Sequence, residues 1–84
     1  MAEKRLLVVD DRPELGDVVR RVASGLGYDV LVTPDGDGFK DAFDTFKPTA
    51  VMLDIIMPKM DGIELVKWLF ARGSNAKVMA ALAS

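Results

Sequence analysis

Two short apolar runs that each stop on aspartate constrain this chain more than any other feature. Leu6-Leu7-Val8-Val9 is uninterrupted and ends on Asp10-Asp11, and Ala50-Val51-Met52-Leu53 ends on Asp54. A continuous apolar run of this length reads as a strand buried on both faces, as in a parallel sheet, rather than as the alternating pattern of a half-exposed strand. Between and beyond these runs the punctuation is regular. Pro13 suits the first turn of a helix, Leu15, Val18, Val19, Val22 and Leu26 recur at helical spacing, and Gly27 stands where a C-terminal cap would. Tyr28 to Thr33 reads as a second strand, followed by a loop at Pro34-Asp35-Gly36-Asp37-Gly38 on composition alone.

Phe39, Ala42, Phe43 and Phe46 mark the core face of a short second helix stopped by Pro48. After Asp54 a loop broken by Pro58 leads to Asp61-Gly62, which opens a third helix with Ile63, Val66, Leu69 and Phe70 among its apolar positions, ending near Gly73. Leu65 and Trp68 widen that apolar surface into core plus a partly exposed flank. Lys77 to Leu82 reads as a fourth strand. This βαβ rhythm implies parallel strands, right-handed crossovers and helices on both faces of one sheet. No repeat, linker or low-complexity segment divides the chain, so residues 1–84 are expected to form a single domain.

In open parallel sheets, ligands bind beyond the carboxyl ends of the strands. A lone aspartate in a loop or at a helix N-terminus needs no further role, and Asp11, Asp35 or Asp61 taken singly could be just that. The set carries the signal: a pair after the first strand and one after the third converge if those strands are neighbours. Carboxylates so placed repel one another, and a divalent cation resolves the conflict. Mg²⁺ suits the site because it takes hard oxygen ligands and is held by one or two carboxylates plus a phosphate. Beside it, an aspartate can accept a phosphoryl group, a reaction that asks mainly for positioning and charge stabilisation.

Composition narrows the remaining classes. The chain has no cysteine and no histidine, which removes disulfides and the usual zinc ligands. Its net charge of −2 argues against nucleic acid as a partner. No apolar run reaches membrane-span length, and a cytoplasmic location is expected.

The two acidic segments resemble those of the response-regulator receiver family of two-component signalling. Leu6-Leu7-Val8-Val9-Asp10-Asp11-Arg12-Pro13-Glu14 looks like the receiver opening. Val51-Met52-Leu53-Asp54-Ile55-Ile56-Met57-Pro58-Lys59-Met60-Asp61-Gly62 is similar to the phosphoacceptor segment, with Gly27-Tyr28 and Asp35-Gly36 matching in between. The resemblance implies a flavodoxin-like (CheY-like) doubly wound parallel sheet of strand order 2-1-3-4. It implies that Asp54 is phosphorylated by a sensor histidine kinase or phosphotransfer protein, the chain being a signalling phosphoacceptor and not an independent enzyme. Asp11 and Asp54 would contact Mg²⁺ directly, Asp10 mainly through a metal-bound water, and Ile56 through its backbone carbonyl. Met57, Pro58 and Gly62 would shape the loop. Helix one, with Arg20 and Arg21, could face the kinase, although such charges more often solvate a helix. Apolar Ile56 cannot orient an attacking water, so slow self-dephosphorylation is expected.

A receiver of this family has five strand–helix repeats, whereas this chain supplies three and a strand, which reads as a C-terminal truncation. The phosphate-binding lysine after strand five has no counterpart. The switch hydroxyl of strand four falls on Leu82 in ungapped register and on Ser84 two residues later. An apolar fourth strand left at an edge invites pairing with a second chain, so a homo-oligomer is expected. Two alternatives compete. A fragment or pseudo-receiver would bind metal without effective phosphorylation or output. A metal-dependent phosphohydrolase would usually carry a second acid two residues after the nucleophile, where this chain has Ile56.

Overall fold

The computed structural model describes residues 3–10, 12–54 and 62–81. Seven elements follow in alternation: β1 (Arg5–Val9), α1 (Pro13–Gly25), β2 (Asp29–Thr33), α2 (Gly36–Phe46), β3 (Ala50–Asp54), α3 (Gly62–Ala71) and β4 (Lys77–Ala81). The four strands form one sheet in the order β2-β1-β3-β4, parallel throughout. The parallel α/β class is the one the sequence pattern implies, and the strand order is the one the family resemblance implies.

The apolar runs are explained by burial on both faces. Leu7, Val9, Val51 and Leu53 pack with Phe39 of α2 and with Leu65 and Leu69 of α3. The alternate residues Leu6, Val8 and Ala50 pack with Ala23 of α1, joined by half-buried Val19, Val32 and Met52. Successive strand side chains point to opposite faces, so a strand with helices on both sides has no position left for a polar residue. Fully burying one such aliphatic or aromatic side chain is worth about 1.5–3 kcal/mol in transfer free energy.

Three elements differ in detail from the sequence reading. The Pro34-to-Gly38 loop is shorter than its composition suggests, because α2 already begins at Gly36. The Asp35 carboxylate accepts the Gly38 N–H at 2.7 Å and so caps the first turn. In α1 the seated residues are Gly16 and Ala23 with half-buried Val19, while Val18, Val22 and Leu26 are exposed. Gly27, at φ 89°, takes the left-handed conformation that ends the helix. In α3, Leu65 and Leu69 are the buried pair, whereas Ile63 is exposed and Phe70 is 81% exposed. The end of the fourth strand at Leu82 lies outside the described residues.

Between α2 and α3 the half-buried Trp68 meets Phe43 and Phe39 edge-on, with ring centroids 5.3 and 6.3 Å away. The Arg72 guanidinium lies 4.6 Å from the Trp68 centroid and pairs with Asp44 of α2. A cation over an indole face adds about 0.5–1 kcal/mol at a partly exposed site, so Arg72 closes the outer rim of this helix pair.

Candidate functional site

The carboxyl edge of the sheet is set by register. Val9 stands opposite Leu53 on one side and Thr33 on the other. One residue further, Asp10 leaves β1 and Asp54 ends β3. These two aspartates therefore occupy corresponding positions on adjacent parallel strands, which run about 4.8 Å apart. On its other side Asp54 stands opposite Ala81 of β4.

Asp10 is half-buried and held at both its amide and its side chain. Its N–H donates to the Thr33 carbonyl at 3.1 Å, the last rung between β1 and β2. Its Oδ1 accepts the Arg12 N–H at 2.8 Å, a bond across two residues that turns the chain toward α1. Thr33 is itself buried, 6% exposed, and its hydroxyl donates to the Val8 carbonyl at 2.8 Å. This threonine carries no sequence signal, since a β-branched residue at a strand end is unremarked on composition. Only the strand register shows that it grips β1 on either side of Val9.

Of the residues singled out from sequence, the structure brings together Asp10 and Asp54, and it places Gly62 at the start of α3. Asp11, Ile56, Met57, Pro58 and Ser84 lie outside the described residues. Among the described residues no three acidic side chains cluster as a metal site. The donors present still fit Mg²⁺ in kind. The Asp10 carboxylate offers hard oxygen ligands at the strand end, with Oδ1 committed to the Arg12 N–H, and the backbone of Asp54 ends the neighbouring strand.

A doubly wound parallel sheet with aspartates at the carboxyl ends of its two central strands is an α/β domain of the class in which ligands bind beyond that edge. The model of the response regulator receiver domain matches residues 6–83, and the chain belongs to that family, the receiver domain of two-component response regulators. It is 36% identical over 75 residues to the response regulator MprA of Mycolicibacterium vanbaalenii, covering 89% of this chain and 32% of MprA. With the alkaline phosphatase synthesis transcriptional regulatory protein PhoP of Bacillus subtilis it shares 38% identity over 66 residues, covering 79% and 28%. The chain thus spans about a third or less of the length of these relatives.

Among solved structures, Vibrio cholerae chemotaxis protein CheY4 is similar in fold, with a TM-score of 0.86 at 23% identity, covering 94% of this chain and 68% of that one. Response regulator TrrA of Thermotoga maritima, solved in complex with Mg²⁺–BeF, has a TM-score of 0.82 at 29% identity, covering 89% and 65%. The structure of histidine kinase ThkA in complex with TrrA matches with a TM-score of 0.83 at 28% identity, covering 92% and 66%.

Proposed function

We propose that Asp54 is the phosphoryl acceptor of this receiver domain, that a histidine kinase or phosphotransfer protein is the donor, and that the reaction depends on Mg²⁺. The observation that carries this reading is the register, which sets Asp10 and Asp54 side by side at the carboxyl edge of β1 and β3. The similarity to a response regulator solved with Mg²⁺–BeF, and to the same regulator with a histidine kinase, supports it.

In the transfer, an Asp54 carboxylate oxygen forms a bond to phosphorus as the bond from phosphorus to the donor histidine nitrogen breaks. The electron pair returns to the imidazole, and Asp54 is left as an acyl phosphate. Bound Mg²⁺, held by Asp10, Asp11 and Asp54 with the Ile56 carbonyl, would supply positive charge against the phosphoryl oxygens. Asp10, whose Oδ1 accepts the Arg12 N–H, would help to hold the ion through its carboxylate, mainly by way of water. Ser84 would supply the hydroxyl that senses the phosphate only with strand four read two residues beyond the ungapped register that places Leu82 there, and Met57, Pro58 and Gly62 would shape the loop between acceptor and α3. The domain works as a cytoplasmic signalling switch. As an 84-residue chain it also self-associates, with β4 of one copy pairing with another.

Incubation with acetyl phosphate and Mg²⁺, followed by intact-mass spectrometry, tests the acceptor. A single phosphoryl adduct that requires Mg²⁺ and is lost in Asp54→Asn is expected. A folded wild-type chain that takes up no phosphoryl group would refute the reading.

A further inference from the structure

We infer that Thr33 is a positioning residue for Asp10 at the end of β1, acting on its proposed metal-binding carboxylate through the backbone and not by contact with the ligand. The inference rests on the proposed Mg²⁺ site. Thr33 is on β2, a strand that contributes no acid to the site, and it is buried. It holds β1 at two points. Its hydroxyl donates to the Val8 carbonyl at 2.8 Å, and its own carbonyl accepts the Asp10 N–H at 3.1 Å.

The second of these bonds is an ordinary ladder rung that any residue in this register would make. The first is specific to a hydroxyl. Together they fix the peptide units on both sides of Val9, the residue from which Asp10 is launched. Immediately beyond, the Asp10 side chain closes on the Arg12 N–H at 2.8 Å. Asp10 is thereby held at its amide by Thr33 and at its side chain by the Arg12 N–H. Ligand-bearing groups that are held by outer hydrogen bonds lose metal affinity when those bonds are removed.

Thr33 is also the last residue of β2 before the two-residue link to α2. Its Cβ lies 3.6 Å from where a side chain on Gly38 would begin. Thr33 therefore sits where β1, β2 and the first turn of α2 meet, and the strand end it supports is the one that carries two acids in sequence.

The test compares the wild-type chain with Thr33→Val, which keeps the shape and removes the hydroxyl, and with Thr33→Ser, which keeps the hydroxyl. Amide hydrogen exchange is read by NMR in EDTA, and Mg²⁺ affinity is read by calorimetric titration of the same samples. The expected result is that Thr33→Val speeds exchange at Asp10 and Arg12 more than at Leu7 or Val51. It should also weaken Mg²⁺ binding by about tenfold, the low end of what losing an outer hydrogen bond costs a metal site, and Thr33→Ser should restore both. Unchanged exchange at Asp10 together with unchanged Mg²⁺ affinity would overturn the inference. So would a uniform loss of protection that follows global stability, since that is what a merely structural threonine would give. A wild-type chain that binds no Mg²⁺ would instead remove the proposed metal site. The exchange data would still decide whether Thr33 pins the turn.

Discussion

Gly16 faces Val32 across the α1–β2 contact, and a β-carbon built on it would stand 2.9 Å from the valine Cγ1. In an exposed helix, replacing glycine by alanine gains up to about 1 kcal/mol of helix propensity. Here the obstacle is a β-branched side chain with little rotamer freedom, itself half-buried in a sheet, so steric cost outweighs propensity. Gly16→Ala is expected to destabilise the fold by about 1–3 kcal/mol, read as a lower urea midpoint at unchanged slope. A more stable variant would show that α1 does not rest on β2 as described. Neither Gly16 nor Ala23 carries a hydropathy signal, which is why the sequence pattern drew attention to Val18, Val22 and Leu26 instead. Close approach of a helix to a sheet is made by small residues, and periodicity of large ones marks a flank as easily as a seat. Thr33 was illegible for a related reason: its importance lies in which strand it pairs with.

Elements were most legible where burial is two-sided. β1 and β3 could be read almost to the residue because no polar side chain fits in a strand covered on both faces. The start of α2 could not, because Gly36-Asp37-Gly38 has the composition of a loop and becomes helical only through its cap. Two glycines in a first turn each cost about 1 kcal/mol relative to alanine, so this helix leans on the Asp35 bond to the Gly38 N–H. Asp35→Ala is expected to cost about 1 kcal/mol in thermal or urea unfolding, and Asp35→Asn only a small part of that. Equal losses in the two variants would point to the charge of Asp35, and not to its capping oxygen. α3 is a mixed case. Its existence was plain, but the facing pair is Leu65 and Leu69, and Ile63 and Phe70 turn outward.

For the molecule as a whole, sheet direction was readable because the βαβ alternation leaves few topologies open, whereas the strand order came from the resemblance of the two acidic segments to a known family. The candidate site was legible to the extent that it consists of acids at strand ends. The sheet register adds which two strands are neighbours, and with them the pairing of Asp10 with Asp54. At the opposite margin, β4 pairs with β3, and Val78 within it is 45% exposed. A strand margin with apolar side chains is a template for another chain. Sedimentation velocity of the 84-residue chain over a dilution series should show mass rising with concentration, and a single monomeric species throughout would exclude association through β4.

Trp68 is the one tryptophan in the chain, and its setting turns it into a built-in optical gauge. Its emission is governed by α2 and α3, through Phe39, Phe43 and the overlying Arg72. Intrinsic fluorescence will therefore follow separation of those two helices and remain nearly blind to fraying of α1 on the far side of the sheet. An unfolding curve from fluorescence and one from circular dichroism will coincide only if the two faces of the sheet come apart together.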